Sequence, residues 1–323
     1  MISVGGYGLG ALALSSLCSS ERVQATPVVP RNTTHAKSVI WVVMNGGQSH
    51  VDTWDYKPQL AKSHGKKLAG FDNAVGFFPE KVGAIMQSPF SFKQYGECGK
   101  WVSDIFPHLP RPVDAMAFVH SCHGKSNNHS PALFTLNTGV SRMGYPCVGS
   151  WVTYGLGSEN NNLPSFVVMT DPKGRGLPKG QAFQGTALNN SGQPINDLNR
   201  IANISDRQQR RQLDFLNTLN REHQKSRATN VELESRIRSF ELAYRMQTAA
   251  PEVFDLNRES PATHHMYGLD DQRCAHFGRQ CLYARRMVES GVRFVQLYSG
   301  GTENQKSWDG HVDIEGNHRG FAG

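Results

Sequence analysis

The chain has 323 residues, of which 38% are hydrophobic and 19% charged, and a net charge of +7. These values are typical of a globular protein with a sizeable core, organised as one large α/β domain or two modest ones. The basic residues form no stripe with interleaved aromatic residues, so no nucleic-acid partner is predicted. The six cysteines include no C-x-x-C pair, which argues against a zinc ribbon or a thioredoxin-like site.

The N-terminal segment is predicted to be an export signal. Residues 3–17 are apolar and rich in small residues, and Val23-Gln24-Ala25 fits the pattern before a cleavage site. No basic residue precedes the apolar segment, and glycine-rich segments of this kind typically follow a twin-arginine motif, so we expect the natural start upstream of Met1. The prediction is an exported protein, periplasmic or extracellular, with an incomplete signal over residues 1–25 and a linker over residues 26–36. The alternative is a poorly ordered tail or a short buried helix. No stretch is predicted to span a membrane stably.

The first predicted strand, residues 38–44, is followed at once by polar side chains. The strand is apolar on both faces, which is typical of a parallel strand covered by helices on both sides. Asn45-Gly46-Gly47 ends it, and Ser49, His50, Asp52 and Thr53 follow. Ligands in open α/β sheets bind beyond the carboxyl ends of the strands, so this turn is a candidate site. The alternative is a strand with a polar surface turn.

The rest of the sequence predicts further strands and helices of an α/β fold. Strands are predicted at 114–121, 165–169 and 292–298, and helices at 131–137, 148–156 and 271–290. Two more helices, from 205 to about 248, resemble a hairpin inserted at about residues 205–250, with Pro251 ending the second. Residues 77–99 and 172–194 are predicted to be irregular, and the last fifteen residues form no complete element. The predicted fold is a mainly parallel sheet between helices.

Carboxylates and imidazoles recur at the predicted strand ends. His120, His123 and His129 follow the second strand, and Asp309, His311 and His318 follow the fourth. Asp oxygen and neutral His nitrogen are ligands for zinc, manganese and related divalent ions, so a metal site is predicted. Each of these observations has an alternative interpretation. Asp309 and His311 also fit a hydrogen-bonded surface pair, and His123 and His129 also fit residues that cap the following helix.

Several catalytic motifs are absent from the sequence. There is no G-x-S-x-G elbow, no P-loop, and no G-x-G-x-x-G that opens a helix after a strand. The sequence therefore supports neither a Ser/His/Asp hydrolase nor a cofactor-binding oxidoreductase.

The chain resembles the secreted proteins of domain of unknown function 1501, within the alkaline phosphatase/sulfatase-like superfamily. The resemblance covers about residues 37–318 and rests on strings such as NGGQSHVDTWD, SNNHSPALFTLNTG, FGRQCLYARRMVESGVRFVQLYSGG and WDGH. It implies an alkaline-phosphatase-like domain over residues 37–323, with active-site positions at His50, Asp52, His129, Asp309 and His311. Family members continue beyond the WDGH segment with further metal-site residues. We therefore expect a truncated chain with an impaired site.

The resemblance implies a metal-dependent hydrolase of sulfate or phosphate esters, acting on a small-molecule or polysaccharide ester. The candidate catalytic residues are Ser49, Thr53 and His129, with Ser49 or Thr53 as the nucleophile unless a metal-bound water attacks. The candidate ligands for zinc, calcium, magnesium or manganese are His50, Asp52, Asp309, His311 and His318. The sequence contains no C/S-x-P-x-R string, which counts against the usual sulfatase mechanism. The alternative is a non-catalytic secreted binding module with the same fold. No pattern specifies the oligomeric state.

Overall fold

The computed structural model describes residues 36–67, 70, 82–170, 186–188, 195, 198, 203–225, 231–301 and 307–322. The predicted export signal, nearly all of the predicted linker and most of the irregular segment 172–194 lie outside these residues. The chain divides into two compact units. The first unit comprises residues 1–43 and 124–301, and the second comprises residues 44–123 and 302–323.

The described residues form a mixed α/β structure. The strands are β1 (Val39–Met44), β2 (Phe92–Tyr95), β3 (Lys100–Ser103), β4 (Phe166–Met169), β5 (Thr186–Leu188) and β6 (Phe294–Ser299). The α-helices are α1 (Pro58–Lys62), α2 (His129–Thr138), α3 (Val148–Leu156), α4 (Asp206–Lys225), α5 (Val231–Phe254), α6 (Pro261–Met266), α7 (Ala275–Glu289) and α8 (Ile314–Ala322). Three 3-10 turns cover His50–Asp52, Val113–Ala115 and Leu256–Arg258.

A four-stranded sheet with the order β1-β6-β4-β5 forms the centre of the first unit. Strand β4 pairs in parallel with β6, with Phe166 opposite Phe294, and in parallel with β5 on its other side. Every residue of β4 and β6 is buried. Strands were predicted at residues 165–169 and 292–298, close to the positions of β4 and β6, and a small parallel sheet with helices is confirmed.

The two faces of this sheet pack against different helices. On one face, Val167, Val295 and Leu297 join Ala284 and Met287 of α7 and Ala250 of α5 in one apolar cluster. On the other face, Phe166, Phe294 and Tyr298 pack with residues of α2 and α3. Gly149 of α3 lies so close to the Phe166 ring that an added Cβ would overlap it. The helix therefore packs directly on the sheet.

Strand β1 was predicted to be buried on both faces, and it is not. Its burial alternates, because Ile40 and Val42 are 41% and 45% exposed whereas Trp41 and Val43 pack into the core. The strand lies at the end of the four-strand order, with β6 as its neighbour. The prediction was wrong because an apolar sequence does not distinguish an edge strand from a central one.

The predicted strand at residues 114–121 is not formed. The chain makes a 3-10 turn at Val113–Ala115 and then runs without regular structure, and Val119 is 79% exposed. In the second unit, β2 and β3 form an antiparallel hairpin, with Phe92 opposite Ser103. Part of this segment was predicted to be irregular. No strand among the described residues pairs with residues 114–121, so their β propensity has no ladder to join.

The second unit has its own core. Phe90, Val102, Ile105, Phe106, Val113 and Trp308 form its buried cluster, and Phe321 of α8 packs against it. The last fifteen residues therefore contain a helix, contrary to the prediction. The side chain of Asp313 accepts the backbone N–H of Gly316 at 2.9 Å, which caps the first turn of that helix.

Helices α4 and α5 form the predicted hairpin. Arg210 donates two hydrogen bonds to Glu241, at 2.9 and 2.8 Å, and Gln209 donates to Gln247 at 2.8 Å. Helix α5 continues past Pro251, where its end was predicted. Met246, Ala250 and Val253 are buried in this part of the helix, so packing compensates for the hydrogen bond that proline cannot donate.

None of the described helices combines the length and apolar character needed to cross a bilayer. The five cysteines among the described residues, Cys98, Cys122, Cys147, Cys274 and Cys281, are free thiols.

Candidate metal centre

The turn after β1 lies directly against the segment that carries Asp309. Gly46 has φ +90°, and a Cβ added to it would lie 2.8 Å from the backbone nitrogen of Asp309 and 2.9 Å from its Cβ. The backbone N–H of Trp308 donates to the carbonyl of Asn45 at 2.8 Å. Position 46 therefore requires glycine for two reasons. The backbone has a positive φ, and there is no room for a Cβ between this turn and Asp309.

The side chains of Asp309 and His311 are in contact within the second unit. Oδ2 of Asp309 lies 2.7 Å from Nε2 of His311. The Asp309 side chain is 14% exposed and the His311 side chain 49% exposed. The backbone N–H of His311 donates to the carbonyl of Asp309 at 3.1 Å, so a tight turn brings both side chains to one side. The predicted pairing of these two residues in one loop is therefore present.

His129 is the first residue of α2 in the first unit. The side chain of Asn128 caps that helix by accepting the N–H of Ser130 at 3.2 Å, and Gly139, at φ +78°, ends it. The role of His129 as a catalytic residue stays a prediction.

An imidazole and a carboxylate in one loop, those of His311 and Asp309, are suitable donors for a transition metal. Zinc is commonly bound by His nitrogen with Asp or Glu oxygen, and manganese also accepts carboxylate. Calcium and magnesium prefer sites made of oxygen ligands. The residues therefore fit zinc or manganese better than the other two ions considered from the sequence.

Ser49, Asp52 and Thr53 are joined by local hydrogen bonds in the 3-10 turn that follows the glycines. The Ser49 hydroxyl donates to Oδ2 of Asp52 at 2.5 Å, and the Thr53 hydroxyl donates to the Ser49 carbonyl at 2.8 Å. Asp52 and Thr53 are buried, whereas Ser49 is half-buried. Thr53 thus holds the backbone of the turn, and the Ser49 hydroxyl is the one paired with a carboxylate.

His318 holds the same turn from α8. Its Nε2 accepts the backbone N–H of Ser49 at 2.9 Å, and its Nδ1 contacts Oδ1 of Asn317 at 3.0 Å. Because Nε2 is an acceptor, the ring is the neutral tautomer with its proton on Nδ1. Burial lowers the pKa of His318, while Asp52 opposes that shift. Both ring nitrogens are thus used within the unit, which suits a positioning role. The assignment of His318 as a ligand stays a prediction.

The other histidines predicted near strand ends are exposed. His50 begins the 3-10 turn, His120 lies beside Lys100, and Nδ1 of His123 is 3.4 Å from the carbonyl of Ser121. His50, Asp52 and His318 were also predicted to be metal ligands. Their roles as ligands stay predictions.

A cavity of about 560 Å³ lies elsewhere, in the first unit. Its charged lining residues are already paired: Arg258 with Glu252, and Arg286 with Glu259 and the Val253 carbonyl. No predicted catalytic residue lines it. Its volume alone gives it no chemistry, and the candidate site is the one built from ligand-type side chains.

Two features of the site were not singled out from the sequence. Asn317 fixes the ring of His318, and its Nδ2 donates to the carbonyl of Ser307 at 2.9 Å. The role of Gly46 depends on its distance to Asp309 rather than on the turn alone. The contact of Gly46 leaves no local signal, because Asp309 is far from it in the sequence.

Comparisons with known proteins give a family but no function. A search of curated proteins and a search of solved structures each found no match. The model of the family described as Protein of unknown function (DUF1501) matches residues 36–323. The chain belongs to that family.

Proposed function

We propose that this chain is a metal-dependent hydrolase of sulfate or phosphate esters with an alkaline-phosphatase-like fold. The observation that supports the proposal is the Asp309–His311 pair, with 2.7 Å between a carboxylate oxygen and an imidazole nitrogen. Gly46, Asn45 and Trp308 hold the segment that presents this pair. A carboxylate and an imidazole fixed in one loop are suited to bind a divalent ion together.

The proposed metal is zinc or manganese, with Asp309 and His311 as its ligands. A bound ion would polarise the ester oxygens and stabilise the charge that develops on them. The His311–Asp309 contact also orients the imidazole before the ion binds, since a carboxylate partner fixes the orientation of the ring.

Ser49 is the proposed nucleophile. Its hydroxyl donates to Asp52, so the carboxylate is placed to accept the proton when the serine oxygen bonds to the sulfur or phosphorus atom of the ester. The bond from that atom to the ester alcohol breaks, and the alcohol leaves with a proton taken from water. Water then hydrolyses the serine ester and releases sulfate or phosphate. His318 holds the backbone N–H of Ser49 and thereby fixes the serine in place. Thr53 is the weaker candidate, because its hydroxyl is fully buried and donates to a backbone carbonyl.

The first test is the metal content of the purified chain, measured by elemental analysis. We expect about one equivalent of zinc or manganese, and at least a roughly tenfold loss in Asp309→Ala and in His311→Ala. Asp104→Ala and His108→Ala are matched controls, because both residues are exposed in the same unit. The controls should keep the metal.

The second test is hydrolysis of aryl sulfate and aryl phosphate esters by the metal-loaded chain. Ser49→Ala should keep the metal and lose turnover, because it removes the nucleophile and leaves the ligands in place. A folded chain with no metal above background would refute the hydrolase proposal. The non-catalytic binding module would then be the better account.

A further inference from the structure

Lys100 is held between two aromatic rings in the second unit. It begins β3, and its Nζ lies 2.7 Å from Nε2 of His120 and 4.3 Å from the centroid of the Phe118 ring. The rings of Phe118 and His120 are nearly parallel, with an interplanar angle of 14° and centroids 6.3 Å apart. The ammonium group therefore has two contacts that restrict its position.

Lys100 and His120 together present hydrogen-bond donors to a ligand. A protonated Lys100 can only donate, so Nε2 of His120 accepts and the ring keeps its proton on Nδ1. Two hydrogens then remain on the ammonium and one on the imidazole, and all three are donors. A positively charged group of donors without a free acceptor is suited to bind the oxygens of an anion.

The neighbouring charges leave this cluster positive. The carboxylate of Asp55 is in electrostatic contact with Lys100, but it already forms an ion pair with Lys57 at 2.9 Å. Burial lowers the pKa of Lys100, and Asp55 and Cys98 oppose that shift. An ammonium group partly removed from water gains from an anionic partner, because the partner replaces lost hydration.

We propose that Lys100 and His120 form a binding subsite for a small oxyanion, such as a sulfate, phosphate or carboxylate group. The subsite is beside the turn that carries Ser49, since the N–H of Asp55 donates to the carbonyl of His50 at 2.9 Å and Asp55 interacts with both His50 and His120. If the proposed hydrolase function is right, the subsite selects esters that carry a second anionic group, such as polysulfated saccharides. The oxyanion site itself does not depend on that function.

The direct test is titration of the purified chain with sodium sulfate against sodium chloride at matched ionic strength. Binding is followed by calorimetry and by the ring nitrogen resonances of His120, assigned with His120→Asn. We expect saturable sulfate binding that weakens at least tenfold in Lys100→Met. Lys62→Met, which removes an exposed lysine of α1, is the charge-matched control and should bind like the parent chain.

Two further variants separate the alternatives. Lys100→Arg keeps the charge and the donors and should retain most of the binding if Lys100→Met fails to fold. Asp309→Ala removes the proposed metal centre and should leave sulfate binding unchanged. The proposal is wrong if sulfate binds no better than chloride, if Lys62→Met weakens binding equally, or if Asp309→Ala abolishes it.

The substrate arm compares a monosulfated aryl ester with a disulfated sugar. Lys100→Met should raise KM for the disulfated substrate and leave kcat and the monosulfated ester unchanged. Equal effects on both substrates would overturn the selective role. If no ester is hydrolysed, the sulfate titration still shows whether Lys100 and His120 bind an oxyanion. Failure of the proposed hydrolase function is therefore distinguishable from failure of the proposed subsite.

Discussion

Gly46 and Gly47, the two adjacent glycines after β1, allow the effect of a steric clash on stability to be measured separately from the effect of backbone strain. Gly46 and Gly47 have almost the same φ, +90° and +89°. A Cβ at Gly46 would overlap the hydroxyl of Ser307 and lie 2.8 Å from the backbone nitrogen of Asp309, whereas a Cβ at Gly47 would meet nothing within 4 Å. Alanine at either position therefore adds similar backbone strain, and only Gly46→Ala adds a steric clash.

The expected free energies of unfolding differ accordingly. The left-handed conformation costs an alanine roughly 1–2 kcal/mol, and forcing a methyl group into packed structure costs roughly 1–3 kcal/mol more. Gly47→Ala should thus lose about 1–2 kcal/mol and Gly46→Ala about 2–5 kcal/mol. The effect of alanine on the unfolded chain is similar in both variants and cancels in the comparison.

The assay is urea unfolding of both variants followed by tryptophan fluorescence, with metal content measured on the same samples. Gly46→Ala should also bind metal more weakly, because relief of the clash moves the backbone of Asp309. Gly47→Ala should retain the metal. Equal stability and equal metal content in the two variants would refute the argument that the turn is packed against Asp309.

Two further predictions concern side chains that hold each unit together. His318→Ala should lower the free energy of unfolding by about 3–5 kcal/mol, because it leaves a cavity and deprives the Ser49 N–H of its acceptor; a loss below about 1 kcal/mol in urea would contradict the positioning role. The free energy of unfolding should also fall as the pH drops from about 5 to about 2. Arg210 holds the pKa of Glu241 at about 2 in the folded chain, whereas 4.5 is expected for the unfolded chain. The unfolded chain therefore takes up the proton first as the pH falls. Glu241→Gln should remove about 1 kcal/mol of that dependence, and identical pH profiles for both proteins would exclude the pair as its source.

Local sequence predicted the centre of the first unit well. The four residues of β4 are apolar, and β6 combines Phe294, Val295, Leu297 and Tyr298 with the polar Gln296 and Ser299. Such strands are stable when neighbours pair on both sides and helices cover both faces. The stretch at residues 114–121 is also mainly apolar and forms no strand. Pairing partners decide between these outcomes, and they are not encoded in a window of eight residues.

The candidate site shows the same division between local and distant information. The Asp309–His311 pair was predictable because two residues in one loop place their ligands together. The bond between Ser49 and His318 joins residues 269 positions apart, so no pattern along the chain announces it. The burial that makes His318 a positioning residue likewise depends on Trp308 and α8.

The second unit is assembled from two pieces at distant positions in the chain, and this has a consequence for synthesis. Residues 44–123 leave the ribosome long before residues 307–322, yet the N–H of Ser49 and the carbonyl of Asn45 find their partners in that later piece. The first unit, whose strands β4 and β6 are complete earlier, can fold before them. The proposed nucleophile Ser49 and the proposed ligands Asp309 and His311 therefore come together only after residues 307–322 have been synthesised. Until α8 packs in the second unit, a nascent chain carries Ser49 without the partner that holds its backbone N–H.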